Sequence, residues 1–124
     1  RELGVQIKLN PIDNLIRDKK IVVVDDSIIR GTTSQIALRF LREAGAKEIH
    51  LRIASPPVKF PCIYGIDTPT SSDLAAAKMD VEPLKKHIGA DSLCFLDIED
   101  LIGSIDLPES ELCTACFSGN YMEE

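Results

Sequence analysis

Apolar positions along this chain hold one period for a few residues and then switch, and each switch marks an element. From Leu3 or Val5 onward the segment Arg1–Leu9 alternates apolar and polar residues, which predicts a half-exposed strand at Val5–Leu9. Asn10-Pro11 makes a turn, and a short segment follows that ends in basic Arg17, Lys19 and Lys20. Ile21-Val22-Val23-Val24 is an unbroken β-branched run, which predicts a buried strand. Between Thr33 and Ala44, residues Ile36, Ala37, Phe40, Leu41 and Ala44 fall on one helical face, and Gly45 ends the helix. Glu48 to Ala54 alternates again, with Ile49, Leu51 and Ile53 on one side, until Pro56-Pro57 stops the strand. Strand, helix and strand over about thirty residues form a βαβ unit, with parallel strands and a right-handed crossover.

The rest of the chain is less periodic. Pro56 to Thr70 is rich in Pro and Gly and reads as an ordered loop, with a short extended piece near Ile63-Tyr64. Ser71 or Ser72 is placed to cap a helix running through Met79, and Val81–Ile88 starts another that stops at Gly89. Leu93–Leu96 predicts a short strand and Asp97–Ser104 a short amphipathic helix, before an irregular tail to Glu124. There is no internal repeat and no low-complexity segment. The expected fold class is α/β, a parallel sheet flanked by helices. Residues 1–105 are expected to form the body and 106–124 a cysteine-containing tail.

The junction between the second predicted strand and its helix carries the chemistry. Asp25-Asp26-Ser27-Ile28-Ile29-Arg30-Gly31-Thr32-Thr33 follows the apolar run directly. Gly31 marks a tight turn, and Thr32 or Thr33 supplies a hydroxyl suited to capping the helix. Strand, loop and helix in that order present backbone N–H groups at a helix start, a ready place for a phosphate. Asp25 and Asp26 offer oxygens to a divalent cation or to sugar hydroxyls. A plain βα turn could also carry two acids, but the whole string after a four-residue apolar run favours a phosphosugar site.

The nine residues resemble the phosphoribosyl-pyrophosphate (PRPP) signature of type I phosphoribosyltransferases, so the sheet is expected to be part of that fold. The resemblance implies that Asp25 and Asp26 face the ribose hydroxyls and Mg²⁺. It also implies that the loop Ser27, Ile28, Ile29, Arg30, Gly31, Thr32 and Thr33 wraps the 5′-phosphate, with the Arg30 side chain a weaker contributor than the backbone.

Charge agrees with a metal-assisted anion site. Fourteen Lys and Arg stand against twenty Asp and Glu, without a dense basic cluster, which argues against general nucleic-acid binding. An acidic chain that takes a pyrophosphate needs a compensating cation, and Mg²⁺ bridging carboxylate and phosphate oxygens supplies it. No apolar run approaches the roughly eighteen residues of a membrane span, and no signal-peptide pattern opens the chain. A soluble cytoplasmic protein is expected. The first residue is Arg1, and the opening residues already read as mid-domain sequence, so a piece of a longer polypeptide is expected.

Four cysteines remain: Cys62, Cys94, Cys113 and Cys116. In a cytosolic chain their usual roles are metal binding or burial. Cys113-Thr114-Ala115-Cys116 has the gap that lets two sulfurs reach one metal or cluster, although such a pair alone is weak. Cys94, between Leu93 and Phe95, reads as a buried small hydrophobe. His50 and His87 read as solvated or capping residues rather than ligands.

The segment Ser55-Pro56-Pro57 through Pro61-Cys62-Ile63-Tyr64-Gly65-Ile66-Asp67-Thr68, with the tail Cys113 to Tyr121, is similar to the iron–sulfur subclass of glutamine PRPP amidotransferases. Those enzymes catalyse the first committed step of purine synthesis, making phosphoribosylamine, glutamate and pyrophosphate from PRPP, glutamine and water. The resemblance implies that Cys62, Cys113 and Cys116 are three of four ligands to a [4Fe-4S] cluster, the fourth lying upstream. It implies further partners: the rest of the parent chain, including a glutaminase domain, and a homo-oligomer. Catalytic residues of the parent would lie outside this chain, so the piece alone is expected to be inactive and not to assemble the cluster. Rival readings are another type I phosphoribosyltransferase, a non-enzymatic nucleotide sensor, and a zinc module using all four cysteines.

Overall fold

The computed structural model describes residues 13–68 and 70–122; the strand expected at Val5–Leu9 lies outside them. Among the described residues the core is a three-stranded parallel sheet in the order β1-β2-β3, formed by Lys20–Asp25, Glu48–Ile53 and Ser92–Phe95. Helix α1 (Asp13–Ile16) precedes β1, and α2 (Thr32–Glu43) connects β1 to β2. Between β2 and β3 come one 3-10 turn (Ser71–Asp73), α3 (Ala75–Lys78) and α4 (Val81–Ile88). Helix α5 (Ile98–Gly103), a second 3-10 turn (Glu109–Glu111) and α6 (Ala115–Ser118) complete the order. The α/β class and the parallel pairing are as expected.

Strand β2 is the centre of the molecule. Its alternate residues Ile49, Leu51 and Ile53 are almost fully buried, against Leu38 and Leu41 of α2 and Leu84 and Ile88 of α4. Burying a side chain of this size stabilises by about 1.5–3 kcal/mol. The α2 stripe differs from the expected one. Ser34, Leu38 and Leu41 are buried, whereas Ile36, Ala37 and Phe40 are only half-buried on its flanks. The inward direction lies to one side of the apolar set, at Leu41, Ser34 and Leu38, instead of at its middle.

Strand β1 also departs from expectation. The run Ile21–Val24 is not buried on both faces: Val22 is 64% and Val24 71% exposed, while Ile21 and Val23 face the core. Successive strand residues point to opposite faces, and the described helices cover only one. Cys94 lies on that same outer face, at the register position of Arg52, and is exposed rather than buried. The outer face beside it is polar and ordered: His50 Nδ1 meets Ser92 Oγ at 2.7 Å, His50 Nε2 meets Glu48 Oε2 at 2.8 Å, and Lys20 pairs with Glu48 at 3.0 Å. His50 is therefore a structural tie across the strands. Those partners hold the Glu48 carboxyl below its ordinary value, His50 most strongly and Lys20 next.

Two further expectations change. The helix expected from Ser71 or Ser72 through Met79 is broken into the 3-10 turn and α3, and no serine side chain caps either piece. Leu74, fully buried, sits in extended conformation at the break, and its packing overrides helical continuity. The loop from Ala54 to Thr68 contains no strand at Ile63-Tyr64.

Candidate functional site

Asp25 ends β1, and its carbonyl accepts from Ala54 N–H at 2.9 Å, so the strand end is held in register with β2. Each carboxylate of the acid pair uses one oxygen on the backbone that follows it. Asp26 N–H donates to Asp25 Oδ1 at 2.9 Å, and Ser27 N–H donates to Asp26 Oδ1 at 2.6 Å. These bonds fix the turn, and among the described residues the second oxygen of each carboxylate has no partner. Ile28 is 1% exposed and belongs to the core, which pins the middle of the loop. The Ile29 carbonyl accepts from Ala75 N–H at 2.8 Å, tying the loop to α3.

Gly31 then turns the chain into α2. It takes φ 82°, ψ −10°, a left-handed conformation that costs other residues roughly 1–2 kcal/mol. The expectation that Thr32 or Thr33 caps the helix is overturned: Gly31 is the cap residue, no side chain caps it, and both threonines lie inside the first turn. The left-handed glycine starts the helix one residue earlier than the hydroxyl pattern suggested. As a result the first-turn N–H groups of α2 are left without a side-chain cap, carrying the positive end of the helix dipole.

All nine expected residues, Asp25 through Thr33, line one cavity of about 550 Å³, together with Ser34 and Asp67. The cavity therefore joins two acids, one guanidinium at Arg30, two exposed threonines and an uncapped helix start. It can take an oxyanion at the helix start while a divalent cation shares the acid pair. The free carboxylate oxygens suit Mg²⁺, which keeps most of its waters and needs only one or two carboxylates plus phosphate oxygens. Asp67 is the residue that sequence reasoning did not single out. It comes from a loop far along the chain, and no local pattern around it signals the cavity.

The cysteines form a second locality. The carbonyl of Cys116 accepts from Lys59 N–H and Phe60 N–H at 3.0 and 3.1 Å, which docks the tail onto the loop that carries Cys62. Tyr121 Oη donates to the Pro61 carbonyl at 2.7 Å, and Met122 N–H donates to Tyr64 Oη at 2.7 Å. Backbone N–H groups turn towards the Cys62 sulfur, Tyr64 N at 3.4 Å, and these hydrogen bonds, Tyr64 first and Ile66 next, lower its thiol pKa against the opposing effect of burial. Cys116 is pushed up, first by burial and then by the charges of Cys113 and Cys62. Cys113 and Cys62 lie near enough for charge on them to disfavour charge on Cys116, an arrangement that a cationic or thiophilic group would relieve. Among the described residues no three His, Cys, Asp or Glu side chains are arranged to hold a single metal ion. Cys94, on the outer face of the sheet, is thus not arranged with the other three cysteines as a single-ion site. A four-iron cluster is larger than one ion and spreads its thiolates wider, so Cys62, Cys113 and Cys116 remain compatible with it.

An acid pair, an anchored loop and an open helix start outside the carboxyl ends of parallel strands define the class: an α/β domain with a candidate anion site at its strand ends. No family model matches the chain. Its relatives are specific all the same. It is 48% identical over 126 residues to the amidophosphoribosyltransferase of Mycobacterium tuberculosis, covering 98% of this chain and 24% of that protein. It is 50% identical over 121 residues to the chloroplastic amidophosphoribosyltransferase 2 of Arabidopsis thaliana, covering 98% and 22%. Among solved structures, the glutamine PRPP amidotransferase of B. subtilis, complexed with ADP and GMP, superposes with a TM-score of 0.80 at 46% identity, over 89% of this chain and 25% of that one. Over nearly its whole length the chain is homologous to part of the amidophosphoribosyltransferases, as its motifs implied. It spans about a quarter of the length of these relatives.

Proposed function

We propose that this chain is the PRPP-holding, C-terminal part of a phosphoribosyltransferase domain in an enzyme that converts PRPP, glutamine and water to 5-phosphoribosylamine, glutamate and pyrophosphate. One observation carries the reading: the nine signature residues line a single cavity at the strand ends, with the α2 start uncapped. In this reading the 5′-phosphate sits at the loop Ser27–Thr33 and the first-turn N–H groups of α2, where the dipole favours an anion. Asp25 and Asp26 accept from the ribose hydroxyls and offer their free oxygens to Mg²⁺. When bound, the metal neutralises the departing pyrophosphate. The chain's own contribution to the displacement is orientation: it fixes the ribose by both ends so that C1 faces the incoming ammonia. A C1–N bond forms as the C1–O bond to pyrophosphate breaks. Glutamine hydrolysis, and the groups that touch the reacting atoms, belong to the rest of the parent chain, which assembles as a homo-oligomer.

Cys62, Cys113 and Cys116 are three ligands of a [4Fe-4S] cluster in that parent, a structural clamp joining the 59–64 loop and the tail to preceding sequence. The support is the docking of the two cysteine segments on each other and the nearness of Cys62 and Cys113 to Cys116. Among the described residues no helix is long and apolar enough to cross a membrane, and the reading places the protein in the cytoplasm; the plant relatives are chloroplastic. Calorimetric titration of PRPP with and without Mg²⁺ tests the central reading. Mg²⁺-dependent binding that is lost in the double variant Asp25→Asn/Asp26→Asn supports it. Binding unaffected by that variant overturns it.

A further inference from the structure

The phosphosugar cavity draws on one residue outside its signature loop. Asp67 lines it, is exposed, and among the described residues makes no hydrogen bond or ion pair. The chain on either side of it is anchored. On one side Cys62 N–H donates to Thr68 Oγ1 at 2.7 Å, closing the loop that contains Asp67. On the other, Leu74 and Ala75 are fully buried, and Ala75 N–H is held by the Ile29 carbonyl of the signature loop at 2.8 Å. A carboxylate held at the cavity wall, with its hydrogen-bonding capacity unused, is costly beside an anionic ligand unless a cation lies between them.

The cavity's charges sharpen this point. Among the described lining residues Asp25, Asp26 and Asp67 supply three negative charges against Arg30, so a divalent cation favours the entry of a phosphosugar. The three carboxylates do not close on a point where one ion could be held directly. Mg²⁺ characteristically keeps several waters and uses one or two carboxylates, leaving further acids to act through those waters.

We propose that Asp67 is a positioning residue of the phosphosugar site, one that orients the divalent cation through its water shell and makes ligand binding cation-dependent. The proposal rests on the reading of the cavity given above. It places a determinant of cation binding in the loop that begins at Cys62, remote in sequence from the signature.

Mn²⁺ in place of Mg²⁺ gives a readout independent of catalysis. Loss of the free-ion electron paramagnetic resonance signal measures Mn²⁺ affinity for the full chain, with and without PRPP. Asp67→Asn weakens Mn²⁺ in the PRPP complex by about tenfold, the scale of one carboxylate's attraction for a divalent ion a few ångströms away through water. Asp67→Ser gives the same loss, and Asp67→Glu recovers most of the affinity. Because Asp67 is exposed and unpartnered, the thermal unfolding midpoint stays at the wild-type value in all three. Wild-type Mn²⁺ affinity in Asp67→Asn, alongside its loss in Asp25→Asn/Asp26→Asn, overturns the role of Asp67 and leaves the cavity reading standing. If PRPP does not raise Mn²⁺ affinity even in the wild type, the cavity reading falls and this inference falls with it.

Discussion

Cys62 and Cys116 lie in segments that touch, yet their surroundings push them in opposite directions. Backbone N–H groups favour the Cys62 thiolate, whereas burial and neighbouring thiolates disfavour that of Cys116. Only the thiolate is nucleophilic. With a lowered pKa, Cys62 carries more thiolate at neutral pH, so iodoacetamide should label it ahead of Cys116 between pH 7 and 8, as peptide mass spectrometry would show; equal labelling would contradict the arrangement. Asp91 is a second residue whose setting predicts pH behaviour. Its Oδ2 accepts from Ile49 N–H at 2.7 Å and from Arg42 Nη2 at 2.6 Å, and these bonds, the backbone one first, hold its carboxyl below the ordinary range. The folded pKa is depressed, so the contribution is fully present above the unfolded value of about 3.9 and is lost as pH falls through the depressed one. Asp91→Ala should cost about 1 kcal/mol at neutral pH, low for a charged hydrogen bond because the pair is more than a third exposed, and the variant's acid melting curve should flatten. Residue identity showed the acid pair and the cysteines plainly. It did not show Asp67 or Asp91, whose partners are brought to them by the fold.

At the scale of elements, β2 and the docked tail carry separable loads. Leu51 is 1% exposed at the centre of the sheet, and Leu51→Ala should destabilise by about 2–5 kcal/mol, read from urea unfolding. The tail depends instead on Gly119, which takes φ 79° and whose missing Cβ would come within 2.9 Å of the Phe60 ring. Gly119→Ala should lift residues 113–122 off the 59–64 loop, seen as faster amide exchange at Lys59 and Phe60 while β2 keeps its protection. Uniform exchange in both regions would contradict a separately docked tail. Elements with one clean period were legible in sequence: β2 with its Ile49-Leu51-Ile53 alternation, and α4, which stops at Gly89 as expected. Where a single residue's packing or backbone decided the outcome, sequence pattern misled. Leu74 broke one helix and Gly31 displaced the threonine caps.

At the scale of the whole molecule, the outer face of the sheet stands apart. Purely parallel sheets are ordinarily covered on both faces, and here Val22 and Val24 stand open on one. The β-branched run had predicted burial, and of its four residues Ile21 and Val23 pack against the core. Self-association follows from such a face. Sedimentation should show concentration-dependent association that Val22→Lys/Val24→Lys abolishes; a monomer at every concentration would contradict it. The central claim concerns the other end of the sheet, where the strand-end acids and the open start of α2 receive a phosphorylated sugar. Amide chemical shifts during titration with PRPP and Mg²⁺ test that claim most directly. The account predicts that the largest changes fall on Asp26 through Ser34, with a smaller set around Asp67, and that omitting Mg²⁺ removes most of them. Changes centred elsewhere, or none at saturating PRPP and Mg²⁺, would contradict it.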